Sequence, residues 1–489
     1  MNSPRTGPDP RAPVLVGVGA ASASEPVTDL MLEAVRAAGI DSGRPSLLRL
    51  VDRVALPQGT WSLTDPARTI ATRMGATGAT TRRYELGVSQ QEVINEALAA
   101  IARGEVDVVL VVGGEARAWA RAGGEEVDTE SRPPDATVTR PPDFVAPIEI
   151  AAGIVWPPVQ QYALIENALA HHEQQGASAH RADVAALWSR FNHVAQRNPL
   201  AAFPQPRAAA DIATPGPKNR PLAYPYNKWH ASQWTVDQAA ALLFCSAGRA
   251  QAAGVAPDRW IFPHVALHVS EAVTLTARRD LHAWPAMVAL GRAAAGHLGR
   301  PLAEVAIAEV YSCFPAAVRV QQRSLGLDLG GTPTVMGGMS FAGGPFNNYV
   351  LNATAAVAAL LRTQPSELGL VTTVSGMLSK PGLAVWSASP PGPGRGSLLA
   401  DMAGSPGVDT PSRPVAPPDS PGGPATVASF TVTYDATEPL RPTRTAIVAD
   451  LPDGTRTAAT CEDAAIAHSA LSESLIGQTV QIESTTFSL

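Results

Sequence analysis

The stretch "YSCFP", Tyr311 to Pro315, follows the apolar run "EVAIAEV" and holds two residues able to move protons, Tyr311 and Cys313. A phenol donates a hydrogen bond or a proton to a carbonyl. A thiol at such a place is either a reagent or a small buried hydrophobe at a strand end. Ser89 offers a hydroxyl, but Glu92 three residues later makes the pair a capping box, in which each side chain satisfies an N–H of the first helical turn. A second constellation lies in "PQPRAAADIATPGPKNRPLAYPYNKWHASQW", where Arg207, Lys218, Arg220 and Lys228 interleave with Tyr224, Tyr226, Trp229 and Trp234. Cations suit phosphates and aromatic faces suit a flat base; a solvated Pro-rich loop whose aromatics cover the core gives the same pattern. His171 and His172 read as an exposed helix face before a metal site, and Asn227 and Asp237 as residues that hold turns.

The 489 residues exceed what one core usually fills, so two or three units are expected at roughly 150 residues each. With 45% hydrophobic and 16% charged residues, the chain reads as globular. Its net charge of −6 has no long run of one sign, which argues against nucleic acid as a partner. Cys245, Cys313 and Cys461 have no CxxC or Cys/His spacing, so neither a disulfide framework nor a metal site is expected. The N-terminus has no apolar signal region and no segment reaches ~20 uninterrupted apolar residues. A cytoplasmic protein without membrane contact is the expectation.

These residues need elements to position them. "APVLVGVGA" reads as the first strand, and its "GVGAAS" is better taken as a strand end with small residues than as a nicotinamide site, since the last glycine of GxGxxG is missing. In Gly87 to Ala116, a helix opens at Ser89 and carries Val93, Ile94, Ala97, Leu98 and Ile101 at helical spacing, before "VDVVLVV" as a strand buried on both faces. The same order returns in Gly343 to Gly376, with a glycine-rich turn, an Ala-rich helix and "LGLVTTV". The chain thus reads as two related halves whose helix N-termini face one pocket suited to anions or thiolates.

Residues from about 117 to 234 read as an inserted, loop-rich subdomain, and 389–424 as a Pro/Gly-rich linker. Residues 425–489 alternate at period two, with a hairpin turn at Asp453-Gly454, and predict a small β-barrel of OB type.

Together, "ALAAIARGEVDVVLVVGGEA", "NKWHASQWTVDQAAALLFCSAGRAQAAG", "YSCF" and "GGMSFAGGPFNN" resemble the thiolase superfamily. The likeness is to the sterol-carrier-protein-2 type and to actinobacterial relatives with an extra C-terminal domain, often labelled acetyl-CoA acetyltransferases. It covers about Ala12 to Ser389 and implies a duplicated five-layer αβαβα core over 1–388, the second half at about 260–388, with an acyl-CoA or related thioester as ligand and no covalently bound cofactor. The resemblance further implies that the nucleophilic cysteine falls at Gly87, the GHP histidine at Gly344, the HDCF histidine at Tyr311 and the CxG cysteine near Val374. Acyl transfer then lacks its thiol and its imidazole. Cys313 matches the HDCF cysteine, the acid/base of the sterol-carrier type. Thiolase-fold aldolases that lack the nucleophile resemble this chain in a tyrosine at Tyr311, which implies retro-aldol cleavage of a β-hydroxyacyl-CoA as one alternative and a non-catalytic thioester-binding or partner subunit as another. The subdomain that holds CoA in the family contains Arg207, Lys218, Arg220, Lys228 and Trp229. A homodimer or a partner protein bound through the tail is the expected assembly.

Overall fold

The computed structural model describes residues 8–141, 144–392 and 395–489. Among these residues the core is built on two mixed sheets. The first runs in the order Pro13–Ala21, Asp237–Ser246, Val108–Ala116, Arg53–Pro57, Thr80–Tyr84, Ala136–Val138. The second runs Ile307–Glu309, Leu368–Ser375, Lys380–Ser387, Phe262–His268, Leu398–Asp401. Helices Gln90–Ala102 and Tyr349–Thr363 lie between the sheets and touch strands of both, which is why apolar residues recur around nearly their whole circumference. Val27–Asp41 covers the outer face of the first sheet, and Pro285–Leu298, backed by Pro315–Leu325, covers that of the second. The result is the expected αβαβα layering.

Local chemistry accounts for these elements. Ser89 Oγ accepts from Glu92 N at 3.2 Å, capping the first central helix. The return half of the expected capping box is replaced, because the Glu92 carboxylate pairs with Arg140 instead. The glycines of "GVGAAS" serve close packing: a Cβ on Gly17 would lie 2.2 Å from Ala38 O and one on Gly19 2.0 Å from Ala34 O, both on the helix Val27–Asp41.

The tail, Gly423 to Leu489, closes into a barrel. Its strands Gly423–Tyr434, Pro442–Asp450, Arg456–Cys461, Thr479–Glu483 and Thr486–Ser488 pair in the cyclic order first, second, third, fifth, fourth, first, with the third and fifth parallel. The helix Ala464–Ser469 sits between the third and fourth strands, and this is OB-type topology. Its interior is filled by Val427, Val432, Ile447, Ala459, Val480, Ile482 and Phe487. At the hairpin, Gly454 takes φ +85° and Asp453 Oδ1 accepts from Thr455 N at 2.8 Å.

Two segments depart from the reading of their composition. Residues 389–424, expected as a linker, contribute the strand Leu398–Asp401, which pairs in parallel with Phe262–His268 at the edge of the second sheet. The short apolar run "SLLADM" inside the Pro/Gly-rich stretch supplies what that open edge needs. The inserted subdomain lends Pro221–Ala223 and Tyr226–Asn227 to the sheet of the barrel, through Ala223 opposite Thr433. Among the described residues no helix is long and apolar enough to cross a membrane.

Candidate functional site

The two central helices meet by their N-terminal ends: Gln90 Oε1 accepts from Val350 N at 2.8 Å. The turn before the second is tied to the first sheet as well, with Asn347 Nδ2 donating at 3.0 Å to the carbonyl of Gln58, just beyond the strand Arg53–Pro57. Gly87 sits at φ +102° in the first turn, where a Cβ would find nothing nearer than Arg140 O at 3.9 Å. Its carbonyl accepts from Lys380 Nζ at 3.2 Å, and Lys380 is 2% exposed. Gly344 is different. A Cβ there would lie 1.9 Å from Ser232 Oγ, so the serine hydroxyl stands in the space where a side chain would begin. Ser232 N in turn donates to Cys313 O at 2.8 Å, which joins this turn to the "YSCFP" stretch. Val374 is buried in its strand opposite Pro381.

Around Tyr311 and Cys313 the structure gathers two further phenols. Tyr311 is held by its backbone, with N donating to Thr372 Oγ1 at 2.8 Å and O accepting from Gln321 Nε2 at 2.9 Å. Its ring meets Tyr349 edge-on at 5.8 Å, and Tyr349 OH donates to Glu309 Oε1 at 2.6 Å. Tyr162, from the helix Val159–His172, stacks on Phe314 at 4.5 Å and donates from its hydroxyl to Gly376 O at 3.0 Å. That hydroxyl also lies beside the Cys313 thiol, and the two act on each other's protonation.

Burial sets the protonation of this cluster. It pushes the Cys313 thiol up to about 12, with the Tyr162 hydroxyl drawing it partly back. Tyr311 is raised by burial and then by Cys313 beside it, and Tyr162 is raised well above the usual phenol range, again by burial first. Glu309 is also raised by burial, against the pull of Tyr349, the Met336 and Val335 amides and Thr334. Near neutral pH the cluster therefore presents protonated donors rather than a thiolate or phenolate.

In the cationic loop, the Arg207 guanidinium lies 3.5 Å over the Trp229 ring and Lys228 Nζ 4.9 Å from the same ring. Trp229 is mostly buried against Phe203 and Phe341. Lys218 and Arg220 are exposed. Tyr226 points inward, its hydroxyl donating to Glu166 Oε2 at 2.5 Å, and Tyr224 stacks on Phe430 of the barrel. Trp234 is exposed beneath Arg117 at 3.8 Å. His171 and His172 are exposed at the end of their helix, His172 stacked on His282. Asp237 Oδ1 accepts from Trp119 N, and Asn227 Nδ2 donates to Ala213 O, both at 2.9 Å. Among the described residues no group of three His, Cys, Asp or Glu is placed to hold a metal ion.

Sequence reasoning passed over Tyr162, Ser232, Tyr349 and Lys380. Each meets the site from a different element, and none carries a local motif.

No protein-family model matches the chain, and no curated protein sequence does. Among solved structures it is similar to the monomeric SCP2-thiolase-like protein type 1 of Mycobacterium smegmatis, at 27% identity and a TM-score of 0.82, over 98% of this chain and 99% of that chain. It is also similar to the Ltp2–ChsH2(DUF35) aldolase, at 19% identity and a TM-score of 0.60, over 78% of this chain and 98% of that one. The dimeric peroxisomal thiolase of Saccharomyces cerevisiae aligns at 16% identity and a TM-score of 0.55, over 78% and 98% of the two chains. The last two likenesses are of fold.

Proposed function

Since this chain belongs to the thiolase superfamily and has an SCP2-thiolase-like fold, we propose that it binds an acyl-CoA or related thioester where its two central helices meet, without passing the acyl group through an enzyme-bound thioester. The observation that carries this is the pair of turns at Gly87 and Gly344, one without a side chain and the other filled by Ser232 Oγ. A covalent route needs a thiolate and a base to generate it. Cys313, joined to the Gly344 turn through Ser232, is kept protonated by burial. What the site offers is donors, and donors suit the carbonyl oxygen of a thioester. The Arg207–Trp229–Lys228 stack is the seat proposed for the CoA nucleotide, with Lys218 and Arg220 exposed for its phosphates.

A second reading, aldol cleavage or formation on a β-hydroxyacyl thioester, is favoured by the protonated state of Tyr311. In the forming direction the thioester loses its Cα proton to water, the enolate carbon attacks a carbonyl, the Cα–Cβ bond forms, and Tyr311 gives its proton to the new β-oxygen and regains one from water; cleavage is the reverse and passes through the Tyr311 phenolate. A chain of similar fold is part of an aldolase.

Both readings are tested by incubating the protein with CoA, acetyl-CoA and a β-hydroxyacyl-CoA while following melting and intact mass. Saturable stabilisation, about 2.7 kcal/mol at a hundredfold excess over Kd, without a mass adduct is expected. An acylated cysteine would overturn the non-covalent site, and unchanged melting at millimolar thioester would remove the ligand. Cleavage of the β-hydroxyacyl-CoA that is lost in Tyr311→Phe would establish the second reading.

A further inference from the structure

Arg278 is one of the largest fully buried side chains in the protein, and its partners are neutral. Nη2 donates to Met377 O at 2.5 Å, with Val273 O and Ser379 Oγ at 3.4 and 3.5 Å. Nη1 is buried with no acceptor at all. Among the described residues Arg278 forms no ion pair. The carboxylate that acts on it through space, Glu149, has both oxygens occupied: Oε1 accepts from Thr276 N and Oγ1, and Oε2 from Ala146 N and Gln161 Nε2. Burial lowers the guanidinium to about 10, so it is still a cation at neutral pH. A buried cation whose acceptors are all neutral calls for an anion, and a guanidinium with an unused Nη1 has a charged donor to offer a carboxylate oxygen.

Its place in the fold says whose carboxylate. Arg278 grips the turn 376–379 at Met377 O, and the neighbouring carbonyl, Gly376 O, takes the Tyr162 hydroxyl that lies beside Cys313. The guanidinium and the Tyr162 hydroxyl thus hold successive carbonyls of one turn and act on each other's charge, and Tyr162 belongs to the donor cluster assigned above to the thioester. Resting on that reading of the site, we propose that Arg278 anchors a carboxylate on the acyl group, so that the ligand class is a short dicarboxylic acyl thioester of the malonyl or succinyl kind.

The experiment compares malonyl-CoA and succinyl-CoA with acetyl-CoA and butyryl-CoA on the full chain by calorimetric titration. Free malonate and succinate are compared with acetate by thermal shift at constant ionic strength. The expected result is binding of the anionic thioesters tighter by about tenfold or more. Arg278→Met should abolish that preference and Arg278→Lys should keep part of it. Because loss of Arg278 also frees the 376–379 turn, the wild-type comparison is decisive even where the variant does not fold. Equal affinity for neutral and anionic thioesters overturns the assignment while leaving the thioester site standing, as does a preference that survives in folded Arg278→Met. Stabilisation by the free dicarboxylates, absent with acetate and without binding of any CoA species, upholds Arg278 and removes the thioester reading. No response to either series overturns both.

Discussion

Cys313 lies just beyond the strand Ile307–Glu309, shielded from water and beside the Tyr162 hydroxyl. The thiolate, and not the thiol, is the reactive form, and its fraction falls tenfold for each unit by which the pKa is raised. Moving from the ordinary 9.0 to about 12 lowers that fraction about a thousandfold at any pH below both values. Alkylation of Cys313 by iodoacetamide at pH 8 is accordingly expected to be about a thousandfold slower in the folded protein than in the urea-unfolded chain, and to climb tenfold per pH unit up to about 12. Peptide mass spectrometry reads this directly. Rapid labelling at neutral pH would mean an activated thiolate and would restore a nucleophile to the site. Burial thus answers the question that the letters "YSCFP" leave open, because reagent and packing residue are distinguished by solvent and neighbours rather than by residue type.

At the level of elements, the first strand and the helix Val27–Asp41 approach closely only because Gly17 and Gly19 have no side chains. Gly19→Val would drive its Cβ into the Ala34 carbonyl, a backbone atom that cannot swing away. A loss of about 3 kcal/mol or more is expected, measured as a fall in the urea midpoint; a near-neutral effect would show that the helix slides freely on the sheet. The central helices and the buried strands were legible in the sequence because their signals are local. Ser89 caps, Val93 to Ile101 repeat at helical spacing, and "VDVVLVV" is long enough to be buried on both faces. Tyr162 was not legible, since its helix also buries Gln160, Gln161, Glu166 and Asn167, and polar residues on an inward face hide which face is inward. The partners of Tyr162, Glu166 and Asn167, which are Gly376, Tyr226 and Tyr224, lie far along the chain. Arg278 and Lys380 escaped for the same reason, as long cations read as surface residues until something buries them.

For the whole molecule, the barrel is joined to the core at several places. Asn167 Nδ2 donates to Phe430 O at 2.8 Å, Ser429 Oγ to Leu164 O at 2.6 Å, and Arg444 Nη2 to Ala152 O at 2.6 Å. Arg456, paired with Asp450, reaches across to the backbone carbonyl of Arg278. With so much of its boundary shared, the tail is expected to melt together with the core in one calorimetric transition. A separate early transition, or release of an intact fragment from about residue 423 by mild proteolysis, would show the barrel to be independent. Arg456→Met, which strips the Arg278 carbonyl of its donor and leaves Asp450 only Arg413 at 3.4 Å, is expected to cost about 2–4 kcal/mol and to lower that single transition.

The strand Leu398–Asp401 adds a kinetic consequence. Pinned to the edge of the second sheet, it leaves little more than twenty residues between core and barrel, from Met402 to Gly422, and these are themselves tied down, Arg413 N to Ala277 O in the core and Ala416 N to Arg456 O in the barrel, both at 2.8 Å. A short tether of that kind confers an effective concentration in the millimolar range on the docked surfaces. Re-association after any transient opening is then an intramolecular event whose rate does not fall on dilution, and a free copy of the same barrel at micromolar levels would be outcompeted about a thousandfold.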